Sequence, residues 1–232
     1  MKKKVIVLSL GGSIIIPEKK HERFLLEFRE VLKKKYKTHK FVLVCGGGSI
    51  ARAYQHVLEE QHKSYKELSL AGIRATRMNA ELVMQVFGKE ANQELPKSMA
   101  KVKSELHKNN TVICGSLRYA PDETSDSTAA KLADYLNAEF INITNVAGLY
   151  TSDPRTNPQA KLVPHQTWEE FDKRAQAIRY KPGQHFVLDQ KAAKRIKNKK
   201  IKTYIVGKDL KALNALLSGK KFKGTTISNN HG

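Results

Sequence analysis

Three short glycine turns are the part of the sequence best suited to chemistry. Each follows an apolar run, and the turns are Gly11-Gly12-Ser13, Gly46-Gly47-Gly48-Ser49 and Gly115-Ser116. Glycine lets backbone N–H groups approach phosphate oxygens closely, and a helix that begins just after the turn adds its positive end. One such turn is a weak signal, because glycines after strands often only reverse the chain. Three of them in one chain favour a phosphate-binding site.

The glycine turns match neither of the common phosphate-binding patterns, G-x-x-x-x-G-K-[ST] and G-x-G-x-x-G. The first turn, in the segment LSLGGSII, also has no lysine on the strand that precedes it. Charge develops on the phosphoryl oxygens during transfer, so a phosphoryl-transfer site here needs a cation from elsewhere.

A second polar constellation lies in the segment ITNVAGLYTSDPRTNP. A strand ends at Thr144 and Asn145, whose short side chains could bond a ligand, and Gly148 permits a turn that returns Tyr150 and Asp153 towards the same place. The alternative interpretation is an ordinary Asx turn without a ligand.

Short apolar runs alternate with longer amphipathic stretches, which predicts strands and helices in alternation. The expected strands are 5–10, 41–45, 112–114, 140–144 and 203–206, and the expected helices are 21–36, 49–61, 73–87, 125–137, 167–177, 189–197 and 210–217. This order predicts an α/β fold with a mostly parallel central sheet that is covered on both faces. Ligands of such sheets bind at the carboxyl ends of the strands.

The composition is that of one intracellular domain. The chain has 232 residues, no apolar run near the roughly 18 that a membrane span needs, and no secretion signal after its charged start. Cys45 and Cys114 each end an apolar run before a glycine, as buried thiols do, and have no metal-ligand spacing. We therefore expect a cytoplasmic protein without a membrane partner.

The net charge of +20 is compatible with two kinds of partner. A basic surface attracts nucleic acids, and it also steers small anions such as nucleotides. The lysines are spread along the chain without interleaved aromatic residues. This distribution favours a solvated basic surface over a nucleic-acid partner.

Seven motifs together resemble the amino acid kinase superfamily, and within it the archaeal-type uridylate kinases. In chain order they are LGGS, CGGGSIARAY, GIRATRMNAELV, TSDSTAA, ITNVAGLYTSDP, VLDQKAAK and KGTTI, and they extend over nearly the whole chain. The most specific are GGGSIARAY, TRMNA and TNVAGLYTSDP. The isopentenyl phosphate kinases, a sister branch, usually carry a histidine soon after the glycine triplet, whereas position 52 is arginine and the next histidine is His56.

The resemblance implies a single three-layer αβα domain, with an acceptor-binding part over 1–135 and an ATP-binding part over 136–232. It implies transfer of the γ-phosphoryl group of ATP to UMP, which gives UDP, with Mg²⁺ as cofactor. It also implies a homo-oligomer, a hexamer built from dimers, to whose contacts the apolar stripe of 73–87 would contribute.

The site residues carry over from the matching motifs. The implied ATP-binding residues are Gly12, Ser13, Gly48, Arg52, Thr144, Asn145, Tyr150 and Asp153. The implied UMP-binding residues are Gly47, Ser69, Ser116, Thr124, Ser125 and Asp126. Arg52 and Asp189 are the implied catalytic residues, and no side chains are assigned as a dedicated metal site. Asp126 and Asp189 each stand where a helix begins, so a helix cap is the alternative interpretation of both.

Four features depart from the family pattern. Relatives commonly have lysine where Ser9 stands, and the candidates to replace this cation are Mg²⁺, Arg52, Arg118 and Lys181. An acidic residue that usually contacts the UMP ribose is replaced at or near Ser69, and Ala147 stands in place of an aspartate.

The fourth departure is the loop 117–123, which is longer than expected for the uridylate branch. These departures leave two alternative functions open. One is a kinase of another small phosphate, such as isopentenyl phosphate. The other is a nucleotide-binding or RNA-binding protein that has lost catalysis.

Overall fold

A seven-stranded sheet runs through the centre of the molecule in the computed structural model, which describes residues 3–16, 23–121, 123–177 and 188–229. Its strand order is β3-β2-β1-β4-β8-β9-β7, and neighbouring strands are parallel except for β8 and β9. A separate antiparallel pair is formed by β5 and β6. The strands are β1 Lys4–Leu10, β2 His39–Cys45, β3 Thr111–Cys114, β4 Glu139–Ile143, β5 Leu149–Tyr150, β6 Leu162–Val163, β7 His165–Gln166, β8 Thr203–Val206 and β9 Thr225–Ile227.

Helices cover both faces of the sheet. They are α1 Gly12–Ile15, α2 Phe24–Lys33, α3 Gly48–Glu60, α4 Tyr65–Phe87, α5 Met99–Lys108, α6 Ser125–Leu136, α7 Trp168–Ala177, α8 Gln190–Asn198 and α9 Leu210–Leu217.

Alternation along β1 separates two hydrophobic cores. Ile6, Leu8 and Leu10 belong to the core that includes residues of α2, α4 and α9, whereas Val7 belongs to the core that includes residues of α5, α6, α7 and α8. Successive side chains of a strand point to opposite faces, so one strand supplies both cores. The predicted α/β fold, with three αβα layers and a mostly parallel sheet, is confirmed.

The expected elements agree best where apolar periodicity is strong. The strand 203–206 and the helix 210–217 are found with the predicted bounds. The predicted helix 73–87 begins earlier, at Tyr65, because Ser64 and Glu67 form a capping box that satisfies free N–H groups of the first turn. The predicted helix 21–36 extends from Phe24 to Lys33 in the described residues.

Some elements were not predicted, among them α5 and β9. Strands from both expected parts of the single domain, 1–135 and 136–232, join the same sheet, and the limit between the two parts falls in the last turn of α6. Among the described helices, none combines the length and apolar character that a membrane crossing requires.

Candidate active site

The glycine turns follow neighbouring strands of the sheet. β3, β2, β1 and β4 are adjacent and parallel, so their carboxyl ends lie along one edge. The loops that begin at Gly115, Gly46, Gly11 and Thr144 therefore start side by side. This edge is the place where parallel α/β sheets bind ligands.

The first and second glycine turns pack against each other through their backbones. A Cβ atom at Gly12 would lie 2.2 Å from the backbone nitrogen of Gly48, and a Cβ atom at Gly48 would lie 2.5 Å from the carbonyl carbon of Gly12. Gly48 also has a φ of 62°, which favours glycine. The Gly46 N–H donates to the Leu10 carbonyl at 2.9 Å. Only glycines permit this approach, so two predicted phosphate-binding turns form one unit.

Gly47 has a packing reason of its own to be glycine. A Cβ atom there would lie 2.4 Å from the Cβ atom of Ala51, one turn further along α3. A larger residue at position 47 would therefore disturb α3 whether or not a phosphate binds here. The predicted contact of Gly47 with the UMP phosphate stays a prediction.

Helix α4 anchors the second glycine turn through a buried side chain. Asn79 is 2% exposed, and its Nδ2 atom donates to the carbonyl oxygens of Gly46 at 2.7 Å and Gly47 at 3.3 Å. A buried amide left without these partners would cost about 1 to 3 kcal/mol. Helix α4, which is distant in sequence, therefore holds this turn in place.

The same helix anchors the third loop. The Ser116 N–H donates to Thr76 Oγ1 at 2.9 Å. Arg77 donates from Nε to the Ser116 carbonyl at 3.2 Å and from Nη2 to the Leu117 carbonyl at 2.7 Å. The sequence alone assigns no role to the side chains of the motif TRMNA. Its placement on a helix that faces two loops is the signal that could have assigned one.

The start of α6 brings three predicted UMP-binding residues together. Thr124 is the N-cap of the helix, and its side chain accepts a hydrogen bond from the Asp126 N–H at 3.1 Å. Ser125 Oγ lies 3.4 Å from the position that a Cβ atom of Gly46 would occupy. Ser116 is buried in the preceding loop. The third loop and α6 thus meet the unit formed by the first two turns.

Ser9 contacts a carboxylate instead of supplying a cation. Its side chain is on the face of β1 opposite Leu8 and Leu10, and its Oγ atom donates to Asp126 Oδ1 at 2.6 Å. Burial and the nearby charge of Asp189 raise the pKa of Asp126 from an ordinary 3.8 to about 7, although the Ser9 hydrogen bond opposes the shift. Within the described residues, no cationic side chain is paired with this carboxylate.

Asp189 holds two helix N-termini together. Its Oδ1 atom accepts hydrogen bonds from the Ala192 N–H and from Ser127 Oγ, both at 2.8 Å, while Oδ2 accepts from the Ser127 N–H at 3.1 Å and from Thr124 Oγ1. The helix-cap interpretation of Asp189 is confirmed for α8. For α6 the cap is Thr124, not Asp126. The catalytic role of Asp189 stays a prediction.

One hydrogen bond joins the first turn to the predicted ATP-binding segment. Asn145 Nδ2 donates to Ser13 Oγ at 2.9 Å, and this pair is exposed. The Thr144 N–H donates to the Val206 carbonyl at 3.0 Å, which fixes the backbone where β4 ends. Ser13, Thr144 and Asn145 therefore share one end of the sheet.

The rest of the segment is held mainly by local contacts. Asp153 pairs with Arg155 through Oδ2 and Nη2 at 2.6 Å, and its Oδ1 atom accepts from the Arg155 N–H at 3.0 Å. These bonds form the Asx turn that was the alternative interpretation. The Tyr150 carbonyl accepts a hydrogen bond from Arg174. Within the described residues, no hydrogen bond joins Tyr150 to the glycine turns.

Several predicted residues have no described contact with this cluster. The Ser69 hydroxyl donates to the Tyr65 carbonyl of its own helix at 2.8 Å. Arg52 and Arg118 are exposed and make no hydrogen bond or ion pair within the described ranges. Lys181 lies outside the described residues.

Residues 4–207 match the model of a family described as the amino acid kinase family. The chain belongs to that family. The uridylate kinase of Thermococcus kodakarensis is 35% identical to this chain over 229 residues, which cover 96% of this chain and 98% of the relative. The uridylate kinase of Methanosarcina barkeri is 32% identical over 226 residues, which cover 97% and 96%.

Solved structures of the family agree with the fold. The crystal structure of uridylate kinase from Archaeoglobus fulgidus aligns with a TM-score of 0.83 at 30% identity and covers 96% of this chain and 99% of that chain. Aspartate kinase from Synechocystis aligns with a TM-score of 0.72 at 18% identity, which is a likeness of fold alone.

Proposed function

We propose that this chain transfers the γ-phosphoryl group of ATP to UMP, which gives UDP and ADP. Near full-length similarity to archaeal uridylate kinases supports the reaction. The observation that carries it in the structure is the backbone contact between Gly12 and Gly48. Phosphoryl transfer needs aligned oxygens and neutralised charge more than it needs a covalent participant. Two joined glycine turns would offer backbone N–H groups to both phosphates at one point.

The proposed donor side contains the first turn and the segment after β4. Ser13 and Asn145, which bond each other, would contact ATP phosphate oxygens together with Gly12 and Gly48. The polar groups that follow in the chain would hold the adenosine half, and these are Thr144, Tyr150 and Asp153.

The proposed acceptor side contains the second turn, the third loop and the start of α6. Gly47 would approach the UMP phosphate. The UMP pocket would be lined by Ser69, Ser116, Thr124, Ser125 and Asp126. The anchors on α4 support this assignment, because they fix the second turn and the third loop relative to each other.

Arg52 is the proposed catalytic cation. It follows the second turn on α3, and its exposed guanidinium makes no described ion pair, so it is available to bridge donor and acceptor phosphates. Asp189 would act by positioning the N-termini of α6 and α8, since both of its oxygens accept hydrogen bonds from them.

The residues present fit a Mg²⁺ ion that enters with ATP. Mg²⁺ is usually bound through one or two carboxylates, substrate phosphates and waters. Asp126 offers such a carboxylate, and none of the described cationic side chains is paired with it. Asp126 would hold the ion, and Mg²⁺ would neutralise charge on the phosphate oxygens when bound.

A homo-oligomer, a hexamer by the family resemblance, is the proposed assembly. Helices α3 and α4 expose large apolar side chains that a second copy would cover, namely Tyr54, Val57, Tyr65, Met78 and Leu82. Sedimentation at micromolar concentrations tests this assembly. Val57→Glu should dissociate it, whereas a wild-type monomer would contradict it.

The proposed compartment is the cytoplasm. Cys45 and Cys114 are buried free thiols, and burial raises the pKa of Cys114 to about 12. Such thiols are poor nucleophiles and suit a reducing environment.

An assay of ADP release with a panel of acceptors tests the proposed reaction. The panel is UMP, CMP, AMP, isopentenyl phosphate and no acceptor, each with MgATP, and product analysis must identify UDP. We expect UMP to stimulate ADP release at least tenfold more than any other member.

The other results of that assay separate the alternatives. Strong stimulation by isopentenyl phosphate would identify this compound as the acceptor in place of UMP, although the similarity to uridylate kinases does not favour that result. ADP release that no acceptor stimulates, together with intact ATP binding, would indicate a binding protein that has lost catalysis.

A further inference from the structure

Ser9 places a polar side chain among apolar ones near the end of β1. It is 1% exposed, and its neighbours Leu8 and Leu10 are buried and apolar. The sheet register pairs Ser9 with Val44 of β2 on one side and with Asn142 of β4 on the other. The backbone that carries the Ser9 hydroxyl is therefore held from both sides, and a hydroxyl buried in this way needs a hydrogen-bond partner.

The partner of Ser9 belongs to the first turn of α6. Ser9 Oγ donates to Asp126 Oδ1 at 2.6 Å, across 117 positions of the sequence. This distance lies in the range of hydrogen bonds from a hydroxyl to a carboxylate, which are shorter and stronger than those between neutral groups. The bond therefore ties a side chain at the start of α6 to the central sheet.

The second carboxylate oxygen of Asp126 has no such tie. Within the described ranges of the chain, Oδ2 accepts no hydrogen bond and forms no ion pair. The next residue towards the N-terminus, Ser125, adjoins the second glycine turn at Gly46. A carboxylate that is fixed through one oxygen can still bind a cation through the other, because carboxylates coordinate metal ions through one oxygen as well as through two.

Ser9 itself is too short and too deeply buried to reach a nucleotide phosphate. Its hydroxyl is one bond beyond Cβ, and its proton is already donated to Asp126. Any effect of Ser9 on a bound ion must therefore pass through the Asp126 carboxylate. Such an effect would make Ser9 a positioning residue.

We propose that Ser9 positions the Asp126 carboxylate for the Mg²⁺ ion that enters with ATP. This inference rests on the proposed function, in which Asp126 holds the ion. Groups that hydrogen-bond a metal ligand fix its orientation, and their loss typically lowers metal affinity about 10- to 100-fold. Ser9 suits this task because it belongs to a central strand and not to a loop.

Equilibrium binding of a non-hydrolysable ATP analogue, measured with excess Mg²⁺ and again in EDTA, tests the proposal. By linkage, the difference between the two affinities reports how well the complex of protein and nucleotide binds Mg²⁺. We expect Ser9→Ala to weaken binding about tenfold with Mg²⁺ and less than twofold in EDTA. UMP binding should change less than twofold. Wild-type affinity with Mg²⁺, or equal losses with Mg²⁺ and in EDTA, would overturn the proposal.

Thr203→Val is the matched control, because it also removes a buried hydroxyl from a strand of the sheet. Thr203 is 0% exposed and begins β8, at the end of the strand opposite the ligand edge, and its Oγ1 atom donates to the Ile201 carbonyl at 3.0 Å. This variant should lose stability much as Ser9→Ala does, yet its affinity for the analogue with Mg²⁺ should change less than twofold. Equal losses of affinity in the two variants would indicate a general disturbance of the sheet and overturn the proposal.

A double-mutant cycle tests whether Ser9 acts through Asp126. Asp126→Asn should weaken binding of the analogue with Mg²⁺, and adding Ser9→Ala should then change it less than about twofold further. A further tenfold loss would overturn the proposal.

The same cycle separates this inference from the proposed function. Weaker binding in Asp126→Asn combined with wild-type binding in Ser9→Ala would overturn the positioning role alone. Wild-type binding with Mg²⁺ in Asp126→Asn would contradict the proposed ion-binding role of Asp126 and the positioning role with it, whereas the formation of UDP is decided separately by the acceptor assay.

Discussion

The loops proposed for the acceptor side and for the donor side are held in place in different ways. On the acceptor side, buried Asn79 and the neighbouring Arg77 bond the backbone of loops that are more than thirty residues away. On the donor side, Asn145 bonds Ser13 at an exposed position, and Asp153 is held by a bond within its own turn.

This difference predicts different tolerance to change. A buried donor that loses its partner costs about 1 to 3 kcal/mol, whereas an exposed pair contributes about 0 to 1 kcal/mol. The loops proposed for the acceptor side are thus anchored on α4, whereas we expect the proposed donor loop to adjust more readily to ATP. We infer that acceptor selectivity depends on α4 more than on the departures at Ser69 and Ala147.

Arg52→Ala is the substitution with the largest expected effect, and it tests where the two sides meet. If Arg52 bridges both phosphates, its loss should lower kcat about 100-fold and leave the melting temperature unchanged. The matched control is Arg74→Ala, an exposed arginine of α4 without a described partner, which should change kcat less than twofold. A rise in the KM for UMP alone would assign Arg52 to the acceptor side only.

Asp126→Asn should change how stability depends on pH in protein free of Mg²⁺ and nucleotide. The unfolded carboxyl loses its proton near pH 3.8, whereas the folded one keeps it until about pH 7, so the unfolded chain binds fewer protons between these values. The free energy of unfolding of the wild type therefore falls as pH rises through this window. Asparagine does not titrate, so the free energy of unfolding of the variant should decrease less over the same pH range.

At pH 8 the Asp126→Asn variant should be more stable than the wild type by about 1 to 4 kcal/mol. A pKa moved from 3.8 to about 7 corresponds to about 4 kcal/mol for a fully buried carboxyl, and to less for this partly exposed one. The melting temperature should rise by at least about 2 °C. At pH 4 the two proteins should melt within about 1 °C of each other. An equal difference at both pH values would show that Asp126 has an ordinary pKa.

Ser9→Lys should have only a small effect on stability, because the new ammonium would lie next to the carboxylate of Asp126. We expect turnover that is unchanged or higher, a melting temperature within about 2 °C of the wild type at pH 8, and a smaller pH dependence of stability. The control is Ser9→Met, because a methionine side chain is nearly as long as that of lysine but carries no charge. This variant should lower both turnover and melting temperature. A loss of stability in Ser9→Lys that MgATP does not restore would contradict the orientation of Ser9.

Much of the fold and part of the site could be predicted from the sequence. Apolar periodicity located β8 and α9 with their bounds, because buried faces dominate such patterns. The start of α4 was wrong by eight residues, since a capping box and not the apolar stripe determines where this helix begins. The short strand β9 carries too few residues for a periodic signal.

The site was harder to derive than the fold, because its decisive contacts join residues that are distant in sequence. Glycine after a strand predicted the turns, but only the structure shows that Gly12 and Gly48 touch. The partner of Ser9 is 117 residues away, and nothing local marks Asp126 as that partner. The sequence predicts Asp189 as a helix cap, and it is one. Its bonds to Thr124 and Ser127 could not be predicted, because they form only when α6 and α8 pack together.

A crossed binding experiment tests the central claim most directly. Equilibrium binding of UMP and of a non-hydrolysable ATP analogue is measured separately for wild type, Arg77→Ala and Asn145→Ala. The account predicts that Arg77→Ala weakens UMP binding about tenfold and changes ATP-analogue binding less than twofold, whereas Asn145→Ala weakens only ATP-analogue binding, by about threefold. Equal losses of both ligands in Arg77→Ala, or unchanged UMP binding, would contradict an acceptor loop positioned by α4.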